Sequence, residues 1–137
     1  MVHSIFLYPI EGNFDVVAIE NFLAQRPDVL LDPLGTATYL VCGTPDAKEV
    51  FREKRLANPT EFPYVTLMTV KSGEVNIFQE YGTKNGLRSA RSIACWLLKH
   101  TRCRVADGYG DDWTERVSQH GVNVLYPEYL RNESVHQ

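Results

Sequence analysis

Several features are scarce or missing in this 137-residue chain, and each absence excludes something. No apolar run approaches the ~18 residues that a helix needs to cross a bilayer. The start, Met1-Val2-His3-Ser4, has no basic region ahead of a long apolar stretch, so no secretory leader is expected. Cysteine is sparse and odd in number. Cys42, Cys95 and Cys103 make no disulfide framework and are expected as reduced thiols in a cytoplasmic protein. The phosphate-cradling patterns G-x-x-x-x-G-K-[ST] and G-x-G-x-x-G after a strand are absent, and so is a nucleophile elbow with a Ser-His-Asp order. Basic charge is in the minority, 14 Lys+Arg against 17 Asp+Glu. With a net charge of −3, a generic nucleic-acid footprint is not expected.

What is present describes one ordinary globular domain. Hydrophobic residues make up 44% of the chain and charged residues 23%, so it can bury a core without staples. Ser4 to Ile10 reads as a strand. Asp15 then caps a helix carrying Val16, Ile19, Phe22 and Leu23 at helical spacing, which Pro27 stops. Val29 to Leu31 and Thr36 to Cys42 read as strands around the turn Pro33-Leu34-Gly35. The second is apolar on both faces, as a central strand is. Thr44-Pro45-Asp46 starts a second helix, with Ala47, Val50 and Phe51 as its buried stripe and Lys48, Glu49, Arg52, Glu53 and Lys54 in water.

Tyr64 to Val70 and Val75 to Tyr81 alternate around Lys71-Ser72-Gly73-Glu74 and read as a hairpin. After a loop at Gly82 to Gly86, a long helix runs from Leu87 to about Lys99. A short strand at Arg104 to Ala106, a loop from Asp107 to Asp112, a helix from Trp113 to Gln119 and a last strand at Val122 to Tyr126 complete the domain. The expected fold is therefore α+β: a single-domain sandwich over residues 1–126, with a mixed or mainly antiparallel sheet and three to four helices. Residues 127–137 are expected as a loose polar tail.

Charge is unevenly placed. Residues 81–106 hold six basic groups and no acidic one, leaving 8 basic and 17 acidic residues elsewhere. Arg88 and Arg91 sit three apart at the start of the long helix, where the helix dipole is positive. They are the candidates for gripping a phosphate or carboxylate. Asp107-Gly108-Tyr109-Gly110-Asp111-Asp112-Trp113 puts three carboxylates and two aromatics on one loop. The pattern does not match a calcium loop, but Asp111 or Asp112 suits a helix cap, and Tyr and Trp on an acidic rim suit a protein interface.

Cys95, His100 and Cys103, with Cys42 as a fourth, offer soft ligands of the kind zinc takes. No C-x2-C pair chelates locally, so no metal and no cofactor is expected. Tyr39, Tyr64 and Phe78, weighed as a stacking platform for single-stranded RNA, lack interleaved Lys and Arg and are assigned to the core.

No residue set supplies nucleophile, base and oxyanion donor together, so no catalytic residue is assigned. In size, acidic body, compact α+β plan and an aromatic-acidic loop after a long helix, the chain resembles the small immunity proteins with which bacteria neutralise toxins. The resemblance implies a non-catalytic cytoplasmic protein whose partner is a toxin, occluded by contacts at Asp107, Tyr109, Asp111, Asp112 and Trp113. Acidic residues there speed the encounter with a basic partner, and aromatic anchors slow release. Two other readings stay open. One is an enzyme or sensor that holds a small anion at Arg88 and Arg91, with Asp107 or His100 as acid or base. The other is a homodimer formed through a sheet edge or through the Tyr64 to Tyr81 hairpin.

Overall fold

The computed structural model describes residues 2–133. Six strands, β1 (Ser4–Pro9), β2 (Val29–Leu31), β3 (Thr38–Val41), β4 (Thr66–Val70), β5 (Val75–Phe78) and β6 (Cys103–Asp107), form one sheet in the order β2-β3-β4-β5-β1-β6. Every neighbouring pair is antiparallel. Five α-helices, α1 (Val16–Ala24), α2 (Pro45–Ala57), α3 (Lys84–His100), α4 (Thr114–His120) and α5 (Glu128–Arg131), accompany the sheet, with a 3₁₀ turn at Val122–Leu125. The fold is α+β, as expected, with more helices than expected. No helix of the described residues is long and apolar enough to cross a membrane.

The two-residue period of each strand divides the core. Ile5, Leu7, Tyr39, Val41, Met68, Val75, Ile77 and Val105 pack on one face with Ile19 and Leu23 of α1, Leu87, Ala90, Ile93, Ala94 and Leu97 of α3, and Val117 of α4. Leu30, Leu40 and Cys42 point the other way and are covered by Phe51 of α2. That second cover stops at β4. Beyond it, Phe6, Tyr8, Phe78 and Arg104 share the outer face of β5, β1 and β6 and are half-buried or exposed. One wet face is normal for an antiparallel sheet.

Two of the expected caps form, at Asp15 and Thr44. Asp15 accepts the Ala18 N–H at 3.1 Å, and Thr44 Oγ1 accepts the Ala47 N–H at 3.0 Å ahead of Pro45. Thr83 caps α3 by accepting the Gly86 N–H, so Lys84 to Gly86 are helical rather than loop. Gly43 is required by its surroundings: its φ is +97°, and a Cβ there would lie 2.5 Å from the Asn85 carbonyl carbon.

Three expectations fail, each for a packing reason. The stripe of α2 is rotated: Val50 is 49% exposed, and the buried residues are Phe51 and Arg55. Arg55 is not in water. Its Nε and Nη2 donate to Asp32 at 3.0 and 3.3 Å, its Nη1 donates to the carbonyls of Pro59 and Glu61, and its guanidinium lies 4.1 Å from the Phe62 ring centroid. The segment Val122–Leu125 is a 3₁₀ turn, not a strand: Val122 and Leu125 bury into the core shared with α3 and α4. Residues 127–133 are not a loose tail. Leu130 is fully buried, and Arg91 of α3 donates to its carbonyl. The remainder of the expected tail, 134–137, lies outside the described residues.

The Asp32–Arg55 pair generates a pH-dependent prediction. Burial pushes the Asp32 carboxyl up, but bonds from Arg55, Thr36 and the Leu34 N–H outweigh it, and the group lies below its ordinary value. A carboxyl depressed in the folded state stabilises it above the unfolded value near ~3.9, and that contribution is lost as the pH falls through the lower folded value. Arg55→Ala leaves a buried carboxylate unpaired. It is expected to lower unfolding free energy by about 3–5 kcal/mol at pH 7, with the gap to the parent narrowing below about pH 4. Urea unfolding across that range checks both. Leu130→Ala is expected to cost about 2–5 kcal/mol by the same measurement, whereas a residue on a loose tail would cost nothing.

Candidate functional site

The loop after β6 is built around one carboxylate. Asp107 Oδ1 accepts the N–H groups of Tyr109 at 2.8 Å and Asp111 at 3.0 Å, and Oδ2 accepts the Trp113 indole Nε1–H at 3.0 Å. The indole bond, joined by the two backbone N–H bonds, holds the Asp107 carboxyl below the usual carboxylate range. Gly110 takes φ +86°, which closes the turn at little steric cost. Asp112 Oδ1 accepts the Thr114 N–H at 2.8 Å just ahead of α4, but the helix's N-cap position is Trp113 and no side chain caps it, so the expected cap by Asp111 or Asp112 does not form. Asp111 is exposed, and its side chain is not needed to shape the turn.

The same segment closes the sheet. β6 is an edge strand, and the outward backbone groups of Val105 and Asp107 are taken by the returning chain. Trp113 N–H donates to the Val105 carbonyl at 2.8 Å, Asp107 N–H to the Asp111 carbonyl at 3.0 Å, and Val105 N–H to Thr114 Oγ1 at 2.9 Å. The loop is therefore fixed at both ends by bonds that also blunt the edge.

Beside it lies a cleft of about 290 Å³. Val2, His3, Ser4, Phe78, Glu80, Asp107, Gly108, Tyr109 and Trp113 line it. Three distant segments meet here because β1 pairs with both β5 and β6: Ser4 lies opposite Phe78, and Ile5 opposite Asp107. Tyr109 stands at the rim with 91% of its surface exposed. Arg116 lies over the Trp113 ring, 3.5 Å from its centroid, and donates to the Asp112 carbonyl.

Of the five loop residues singled out by sequence, Asp107, Tyr109 and Trp113 line the cleft, while Asp111 and Asp112 sit outside its lining. Sequence reasoning missed Val2, His3, Ser4, Phe78 and Glu80 as members of one site. Alternation marks which side of a strand they occupy, but nothing local says which strand lies next door.

The two arginines of α3 are turned inward or already paired. Arg88 makes a two-bond contact with Glu133, Nε and Nη2 each 2.7 Å from a carboxylate oxygen, and Nη1 donates to Asn85. That pairing raises the Arg88 guanidinium's proton affinity and holds the Glu133 carboxyl below its ordinary value. Arg91 is 2% exposed, with Nη1 donating to Asn123 Oδ1 at 3.2 Å and to the Leu130 carbonyl. The basic helix thus holds the C-terminal segment, not the acidic loop. Asp107 and His100 do not join it in one site: His100 stacks on Trp96 at the far end of α3, with ring centroids 4.4 Å apart.

The thiols are also dispersed. Cys42 is near the β3 end and Cys103 on β6, four strand spacings apart, or about 19 Å. Burial pushes the Cys42 thiol up to about 12 and raises that of Cys103. Among the described residues no group of three or more His, Cys, Asp or Glu side chains is placed to hold a metal ion. The aromatic trio separates as well. Tyr39 is buried, its hydroxyl 3.3 Å from Glu20, while Tyr64 is 76% exposed and meets Tyr81 edge-on.

If Asp107 organises the loop, Asp107→Asn, which keeps the shape but loses the charge and acceptor strength, speeds hydrogen exchange at the Tyr109 and Asp111 amides by about tenfold or more. Exchange in β1 and β5 stays unchanged. Amide exchange followed by NMR reads both.

No family model, no curated protein and no solved structure matches this chain, and what the site does follows from its own geometry.

Proposed function

We propose that this protein is a non-catalytic binding module that captures a basic protein through the loop from Asp107 to Trp113, in the manner of a toxin-neutralising immunity protein. The observation that carries the reading is Tyr109. Its ring is 91% exposed, yet the backbone beneath it is held by the Asp107 carboxylate and by the bonds to β6. A large exposed ring on a held backbone is a partly preorganised anchor, since the backbone entropy is already lost before a partner covers it. Asp111 and Asp112 beside it supply the field that favours a cationic surface. The internal engagement of Arg88 and Arg91 removes the main support for an anion site on α3.

The test is capture by the immobilised protein from a lysate of its source organism. The expected prey is a basic protein, and Tyr109→Ala with Asp111→Ala reduces its recovery at least about tenfold, equivalent to about 1.4 kcal/mol. The association rate falls as salt rises from low ionic strength to physiological, where the screening length is about 8 Å. Growth inhibition by the expressed prey, relieved by co-expression of this chain, supports the immunity role. Unchanged recovery with the double variant, or an acidic prey, sinks the loop as the interface.

A further inference from the structure

The cleft beside Tyr109 has a chemistry of its own. Its walls are Phe78, Tyr109 and Trp113, and the carboxylates of Glu80 and Asp107 stand in the same lining. At about 290 Å³ it lies at the lower limit of the ~300–1,000 Å³ typical of small-molecule pockets, a size suited to one long side chain. The two carboxylates are not equivalent. Both Asp107 oxygens are engaged by donors of the chain itself, Oδ1 by two backbone N–H groups and Oδ2 by the indole. Three of the roughly four acceptor sites of Asp107 are therefore taken by the chain itself, which leaves Glu80 as the more available carboxylate. Glu80 is exposed and has no ion pair among the described residues. Aromatic walls with one available carboxylate suit a planar cation, which stacks on a ring and pairs its edge with both carboxylate oxygens.

We infer that this cleft receives an arginine side chain of the partner protein, with its guanidinium against the rings of Phe78 and Tyr109, beside Trp113, and paired with Glu80. The inference rests on the protein-binding reading above and adds the chemistry of the anchor. Arginine fits better than lysine because an ammonium offers neither the flat face nor the paired donors. The chain already uses this chemistry: Arg116 stacks on Trp113 and Arg104 on Tyr8. Charge agrees, because Glu80, Asp107, Asp111 and Asp112 outnumber the nearby Arg104 and Arg116.

The Trp113 indole N–H, bonded to Asp107 in the cleft, is a built-in reporter, and Trp96 on α3 is an internal control. Capped Gly-Arg-Gly, Gly-Lys-Gly and Gly-citrulline-Gly peptides are titrated into the isotope-labelled full chain. The arginine peptide is expected to move the Trp113 indole and the Gly108 and Tyr109 amides saturably, with a dissociation constant on the order of millimolar. It leaves Trp96 still. The lysine and citrulline peptides bind at least about fivefold more weakly, and Glu80→Gln weakens the arginine peptide about five- to tenfold. Glu80 is exposed, so an unchanged spectrum elsewhere verifies that the variant folds. No response to the arginine peptide, or an equal response to citrulline or lysine, overturns the inference. If Tyr109→Ala abolishes partner capture while Glu80→Gln leaves it intact, the arginine anchor fails and the loop interface survives. If neither variant affects capture, both fail.

Discussion

The first strand carries the whole arrangement. β1 lies between β5 and β6 and joins the β2-β3-β4-β5 run to β6, with Ile5 and Leu7 almost wholly buried between Ile77, Val75 and Val105. Its partners lie about 70 and 100 residues further along the chain, so its pairing closes the longest loops within the sheet. Such non-local pairing slows folding more than local helix formation does. It also makes the cleft. Ser4, Phe78 and Asp107 have no sequence relation, yet β1 brings them to one end of the sheet within two strand spacings.

Buried arginines form the second tier. Arg55 and Arg91 lie on helices whose sequences suggest solvated charge, and each instead fastens an irregular segment. Arg55 holds the turn at Asp32 and the loop at Pro59 and Glu61, and Arg91 holds the segment from Asn123 to Leu130. A guanidinium suits this task because its five donors can satisfy several carbonyls at once while its flat face packs on a ring, as Arg55 does on Phe62. A third arginine, Arg26, bridges Asp28 and Ser92, linking the entry to β2 with α3.

Local rules were legible where the cause is local. The caps at Asp15 and Thr44, the hairpin around Ser72-Gly73 and the long apolar stripe of α3 follow from residues within a few positions of one another. The misreadings share one cause. The stripe misassigned at Val50 is set by Arg55, and Arg91 and Leu130 turn inward, through partners 23 to 39 residues away, and no periodicity encodes such a partner. The loop was found because its composition is unusual. Its cleft was only half found, because Ser4, Phe78 and Glu80 arrive through strand pairing.

The loop from Asp107 to Thr114 separates two duties by atom type. Its backbone and the Asp107 carboxylate seal the edge of β6, while the rings and carboxylates of Tyr109 and Asp111 project away from that seal. Substitutions at Tyr109 and Asp111 therefore change the exposed surface without exposing the strand edge beneath, whereas Asp107 and Gly110 are bound to the architecture. On the proposed binding role, that division lets the two exposed positions vary cheaply while the frame that holds them stays fixed.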